Sequence, residues 1–147
     1  MIDSRTAPYA ALLLRVTLGA LFLAHASLKL FVFKPAGTAK FFGSLGFPPE
    51  LAYLIMTVEV LSGFALILGV WTRYAALVGV PILLGAIFTV HGAAGFFFTN
   101  PKGSWEFPAF WAIALAAQAL LGDGAYALRP SRDVAAGSGQ LSGAHSR

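Results

Sequence analysis

Four stretches of the chain are almost wholly apolar: about Pro8 to Phe33, Leu51 to Val70, Ala75 to Val90, and from Trp105-Glu106-Phe107-Pro108 to about Leu121. A bilayer hydrocarbon core about 30 Å thick needs about 20 apolar residues at a helical rise of about 1.5 Å, so each stretch is read as a spanning helix. Phe47-Pro48-Pro49-Glu50 suits a helix entrance, and Gly69 with the turn Trp71-Thr72-Arg73-Tyr74 ends the second stretch. So short a turn makes the second and third helices antiparallel neighbours. Pro81 lacks a backbone donor and leaves the carbonyl of Leu77 underused, which predicts a kink in the third helix. Tyr126 and Leu128 are read as extending the fourth helix past Gly122-Asp123-Gly124. The longer connections carry Phe41, Phe42, Leu45 and Phe47, then Phe96, Phe97 and Phe98, and are read as loops lying in the headgroup region that aromatic clusters favour. The fold class expected is therefore all-α, an integral membrane four-helix bundle over residues 1–128. The Gly-, Ser- and Ala-rich remainder, 129–147, lacks periodicity and is read as a disordered tail.

Composition supports that reading and narrows the chemistry. Hydrophobic residues make up 58% of the 147 and charged residues only 11%, against about a quarter in soluble domains, so too much apolar surface is present for a water-soluble fold. Four spans use nearly the whole length and leave no room for a separate catalytic domain. With no cysteine, the chain by itself supplies no disulfide, dithiol, thiolate metal site or iron–sulfur ligation, and no metal site is expected. A redox role would borrow its cofactor. The net charge of +4 is spread along the chain rather than gathered in a run, so no nucleic-acid partner is expected. Arg5, Arg73, Arg129 and Arg132 fall on one side of the spans, and Lys34, Lys40 and Lys102 on the other, which places both termini in the cytoplasm by the positive-inside rule. Ala24-His25-Ala26 imitates a signal-peptide cleavage site, but Arg15 interrupts the apolar region and three further segments need anchoring, so the first segment is read as retained.

An ionisable side chain in a span costs on the order of 3 kcal/mol on insertion, so each one needs a partner, a cavity or a role. Arg15, His25 and Lys29 fall within an arc of roughly 80° at about 100° per residue, giving the first helix one polar face directed into the bundle. His25 and Glu59 each lie about eight residues from the same end of their helices, roughly 12 Å deep, and are expected to pair as a proton relay. Lys29, His91 and Glu106 lie nearer that boundary and are expected to form a second polar cluster that binds a ligand. Arg15 is read as a structural charge that snorkels or neutralises Glu59 from below. Gln118 and Ser62-Gly63 are read as helix-packing residues. Two histidines on different helices raise bis-histidine haem, but a depth mismatch on the order of 10 Å argues against it. Phe22-x-x-His25-x5-Phe31 echoes Phe88-x-x-His91-x5-Phe97, which fits either a repeat of two helical hairpins or chance.

Leu14-Arg15, His25-x3-Lys29, Phe41-Phe42, Leu45-Gly46-Phe47-Pro48, Glu59, Leu68-Gly69-x2-Thr72-Arg73, His91, Gly95-Phe96 and Trp105-Glu106 together resemble the DoxX family, in one register over about residues 8 to 128. Ser62-Gly63 stands where Gly-Gly is more usual, and the resemblance stops after Leu128. It implies a multi-pass protein of the bacterial plasma membrane that works with an oxidoreductase partner subunit. Relatives include a subunit of a thiosulfate:quinone oxidoreductase, and others belong to oxidative-stress complexes. Three roles stay open on the sequence: binding of a quinone or similar lipid-soluble molecule with proton relay through His25 and Glu59, a small proton-coupled permease, and a structural accessory without ligand. Oligomerisation is compatible with each.

Overall fold

The computed structural model describes residues 3–100 and 103–131. Among these, the chain forms five α-helices and no strand: α1 (Ala7–Ser27), α2 (Lys34–Ser44), α3 (Glu50–Leu68), α4 (Thr72–Ala86) and α5 (Glu106–Leu121). Two π-helical turns prolong the first and fourth, Leu28–Val32 after α1 and Ile87–His91 after α4, the latter followed by a single 3-10 turn at Gly92–Ala94. Counted with these turns, Ala7–Val32, Glu50–Leu68 and Thr72–Ala94 are long and apolar enough to cross a membrane, and α5 is a shorter apolar helix. The molecule is a membrane helical bundle.

Packing divides the bundle into two hairpins. α1 lies chiefly along α3 and α4 chiefly along α5, with lesser α3–α4 and α1–α5 contacts closing the bundle. Gly19 on α1 faces Gly63 on α3 so closely that a Cβ at Gly19 would stand 2.6 Å from the Gly63 carbonyl oxygen, so small residues set the crossing. Leu18, Phe22, Leu66, Ala76, Leu83, Trp111 and Leu115 form the core between the hairpins.

Two features depart from the sequence reading. The connection after the first span is not a loop on the surface but contains α2, which packs on α3 and on the first π turn. Lys34-Pro35 opens it, Lys34 at a positive φ of 61°, and the Thr38 hydroxyl lies within hydrogen-bonding distance of the carbonyls of Lys29 (3.3 Å) and Lys34 (3.2 Å). At the other end, α5 is not extended by Tyr126 and Leu128. Gly122 takes φ 85° and ψ −152°, the Gln118 side chain donates to the Gly122 carbonyl (2.7 Å), and the chain turns back across the bundle. Pro81 sits inside α4, which continues through it to Ala86. Of the expected tail, residues 129–131 pack against the bundle, and the rest lies outside the described residues, as do Lys102 and Arg132.

The returning segment, residues 122–131, is a strap that answers the open helix ends on its side. Gly69, left-handed at φ 68°, ends α3, where the Val70 N–H donates to Ala65 O (2.8 Å). The remaining α3 carbonyls would be bare. Leu128 N–H donates to Leu68 O (3.1 Å), Arg129 N–H to Gly69 O (3.0 Å), and Ala125 N–H to Pro8 O (2.9 Å). At the start of α4, Asp123 accepts from the Thr72 backbone N–H (3.2 Å) and from Ser131 N–H (2.8 Å), while Arg129 stacks over Trp71. A carboxylate against a helix N-terminus is favoured by the helix dipole.

Candidate functional site

Arg15 belongs to the strap end. Its side chain is 1% exposed, and it donates through Nη1 to the carbonyls of Leu66 (3.1 Å) and Ile67 (2.9 Å) and through Nη2 to that of Ala125 (2.8 Å). The guanidinium thus caps α3 at the negative end of its dipole and ties α1, α3 and the strap together. Asp123 is the carboxylate with which it interacts electrostatically. Glu59 is not its partner.

Toward the opposite end, the side chains arrange themselves differently from the expected His25–Glu59 pair. Glu59, 4% exposed, forms an ion pair and hydrogen bond through Oε1 with the ammonium of Lys29. Helical side chains lean toward the N-terminus of their helix. In antiparallel α1 and α3 that leans Lys29 down and Glu59 up, so a residue four positions beyond His25 reaches the carboxylate. His25 points elsewhere. Four positions turn a helical side chain by about 40°, and the His25 ring lies instead against α5, with its centroid 5.0 Å from Trp111 and 6.2 Å from Phe107, nearly parallel to the latter at 18°.

The expected cluster of Lys29, His91 and Glu106 is likewise redistributed. Lys29 goes to Glu59, and Glu106 accepts from the Phe98 backbone N–H (3.0 Å), closing the loop before α5. His91, at the end of the second π turn, lies beneath Gly103, and both it and Lys29 interact electrostatically with His25. The structure therefore sets a row of polar groups across three helices: Glu59 on α3, Lys29 and His25 on the α1 span, and Trp111 on α5. The π turn that carries Lys29 is held by Thr38. Such turns occur often at functional sites.

Two members of the row have buried polar atoms without a partner among the described residues, Glu59 Oε2 and the indole Nε1 of Trp111, and His91 Nδ1 is a third such atom outside the row. Trp111 is the residue that sequence reasoning missed. Its signal was the spacing Phe107-x3-Trp111, which puts two aromatics on one face of α5, opposite Phe22-x2-His25 on α1. Phe22 and Trp111 meet at 4.9 Å, and Phe107 and Trp111 at 5.7 Å. Two open grooves of about 270 and 280 Å³ lie on the outer faces of α3, one against Leu30 and Pro35 and the other against α4. Neither is lined by His25, Lys29, Glu59 or Trp111.

A helical membrane bundle with an internal ion pair and a histidine packed in aromatic rings is the class of protein that fold and site define. The chain belongs to the DoxX family, whose model it matches over residues 10–92. It is 35% identical over 119 residues to a protein of Bacillus subtilis (strain 168) named "Putative oxidoreductase CatD", a match spanning 81% of this chain and 84% of that protein. No solved structure matches it.

Proposed function

We propose that this protein is the membrane component of an oxidoreductase system and binds a quinone or similar lipid-soluble molecule at the Glu59–Lys29–His25 row. The observation that carries the reading is Glu59: nearly fully buried, with one oxygen held by Lys29 and the other, Oε2, without a donor among the described residues. A carboxylate in an apolar span that keeps one oxygen open is placed to accept or deliver a proton. His25 stands beside Lys29 and carries a side chain whose ordinary pKa lies near neutrality, so it is the natural exchange group between Glu59 and the bundle edge. The similarity to a protein named "Putative oxidoreductase CatD" supports an oxidoreductase setting.

A quinone, when bound, supplies an acceptor of two electrons and two protons. The electrons come from a partner oxidoreductase subunit. The residues of this chain hold the ring, exclude water and supply protons from Glu59 and His25. Access runs from the bilayer face of α5, where Phe107 is 44% exposed and covers the His25 and Trp111 rings. The excess of arginine at the strap end, Arg5, Arg73 and Arg129, supports a cytoplasmic position for that end in a bacterial plasma membrane.

The test is binding of decylubiquinone to purified protein in nanodiscs, measured by calorimetry. Saturable binding is expected, weakened about tenfold in Glu59→Gln, the equivalent of about 1.4 kcal/mol. An absence of saturable binding, or full affinity in a folded Glu59→Gln variant, overturns the reading.

A further inference from the structure

Trp111 is 3% exposed, and its indole N–H, a donor with no alternative role, meets no acceptor among the described residues. A buried unpaired N–H carries its full desolvation penalty, and tryptophan is ordinarily kept in a core only where that N–H finds a partner. Packing alone does not account for it, since a phenylalanine would fill the same position between Phe22, Phe107 and His25 without the unmet donor. Apolar lipid tails offer no acceptor. The rings of His25 and Phe107 pack on Trp111 at 5.0 and 5.7 Å and lie nearly parallel to each other, and Phe107 is 44% exposed, so this edge of Trp111 is bordered by flat rings, one of them open to the outside of the bundle.

We infer that Trp111 is a binding residue whose indole N–H donates a hydrogen bond to a carbonyl oxygen of a planar, lipid-soluble ligand seated against His25 and Phe107. This rests on the quinone reading and adds to it the group that selects for the carbonyl. Aromatic stacking would hold any flat ring, but only a ring bearing an acceptor satisfies Trp111. The selectivity is therefore for a ring carbonyl over the same ring without one.

Menadione and 2-methylnaphthalene share a ring skeleton and differ in the carbonyls, so the pair isolates the hydrogen bond. In nanodiscs, the unaltered protein is expected to bind menadione at least fivefold more tightly than 2-methylnaphthalene. Trp111→Phe should weaken menadione binding about fivefold to tenfold and leave 2-methylnaphthalene unchanged, the loss that one hydrogen bond accounts for. Equal menadione affinity in the two proteins, or an equal loss for both ligands, overturns the role of the indole while the quinone reading stands. Failure of the unaltered protein to bind menadione or decylubiquinone removes both. A second measurement avoids mutating the core: the Trp111 indole N–H resonance, assigned with the help of Trp71→Phe and Trp105→Phe, should move downfield on menadione titration and stay in place with 2-methylnaphthalene. An unmoved indole resonance at saturating menadione also overturns the inference.

Discussion

Arg15 directs its guanidinium to the carbonyls of Leu66 and Ile67 at the end of α3 and of Ala125 in the strap, and in that position a cation is held inside an apolar bundle. Hydrogen bonds to charged groups contribute about 1.5–3 kcal/mol each, so Arg15→Ala is expected to lower stability in detergent by at least about 3 kcal/mol. Arg15→Lys should recover only part of this, because an ammonium cannot fork between α3 and the strap. Reversible denaturation followed by circular dichroism measures both. For Glu59 and Lys29 the expectation is coupling. Removing one partner strands the other charge and costs about 3–5 kcal/mol, so Lys29→Met and Glu59→Gln should each destabilise, and the double variant should be more stable than the sum of the two predicts. Additive losses would show that the pair does not interact. Arg15, Lys29 and Glu59 were legible in the sequence because charge stands out in an apolar run. Their partners were not, because depth along a helix says nothing of the direction in which a side chain leans. Thr38 was invisible because a hydroxyl is ordinary in a membrane helix, and Trp111 left only the spacing Phe107-x3-Trp111, which plain core packing also produces.

The long helices follow from hydrophobic length, and their ends from residues that change backbone conformation. The sequence located α3, α4 and the start of α5 to within a few residues because Pro48-Pro49 and Gly69 mark boundaries by sterics alone, but it overran Gly122, since Tyr126 and Leu128 continue the apolar pattern beyond it. It missed α2, since a helix rich in Phe and Gly between two spans has the composition of an interfacial loop. It missed both π turns as well, which differ from α-helix by one hydrogen-bond step and leave no periodic signal over five residues. Gly69 is the boundary with most at stake: its left-handed backbone costs a side-chain-bearing residue about 1 kcal/mol or more, and a Cβ there would collide with the Arg15 guanidinium and with Ala127. Gly69→Ala is therefore expected to destabilise by about 2 kcal/mol or more, read by the same denaturation. Asp123→Ala should release the strap from α4, and limited proteolysis should then cut within 122–131 at least several times faster, with the helices left intact.

For the whole molecule, the pairing of α1 with α3 and of α4 with α5 gives two antiparallel hairpins joined back to back, an arrangement the faint Phe–His echo suggested and the small-residue crossing supports. Arg5, Arg73 and Arg129 gather at the strap end and Lys34 and Lys40 at the other. Because the chain has no cysteine, single cysteines report sidedness without background. In intact cells, Lys40→Cys should react with a membrane-impermeant maleimide and Arg5→Cys only after permeabilisation, and the reverse pattern would invert the orientation. The strap has a consequence in time as well as in space. It is synthesised after all of the long helices, so a nascent chain that has already threaded every span still carries a buried cation short of one acceptor and a row of bare carbonyls. Assembly is thus sealed only when residues 122–131 fold back. A chain interrupted just after Leu121 would remain unsealed in the bilayer, and pulse–chase labelling should find it cleared by membrane proteases faster than the finished protein.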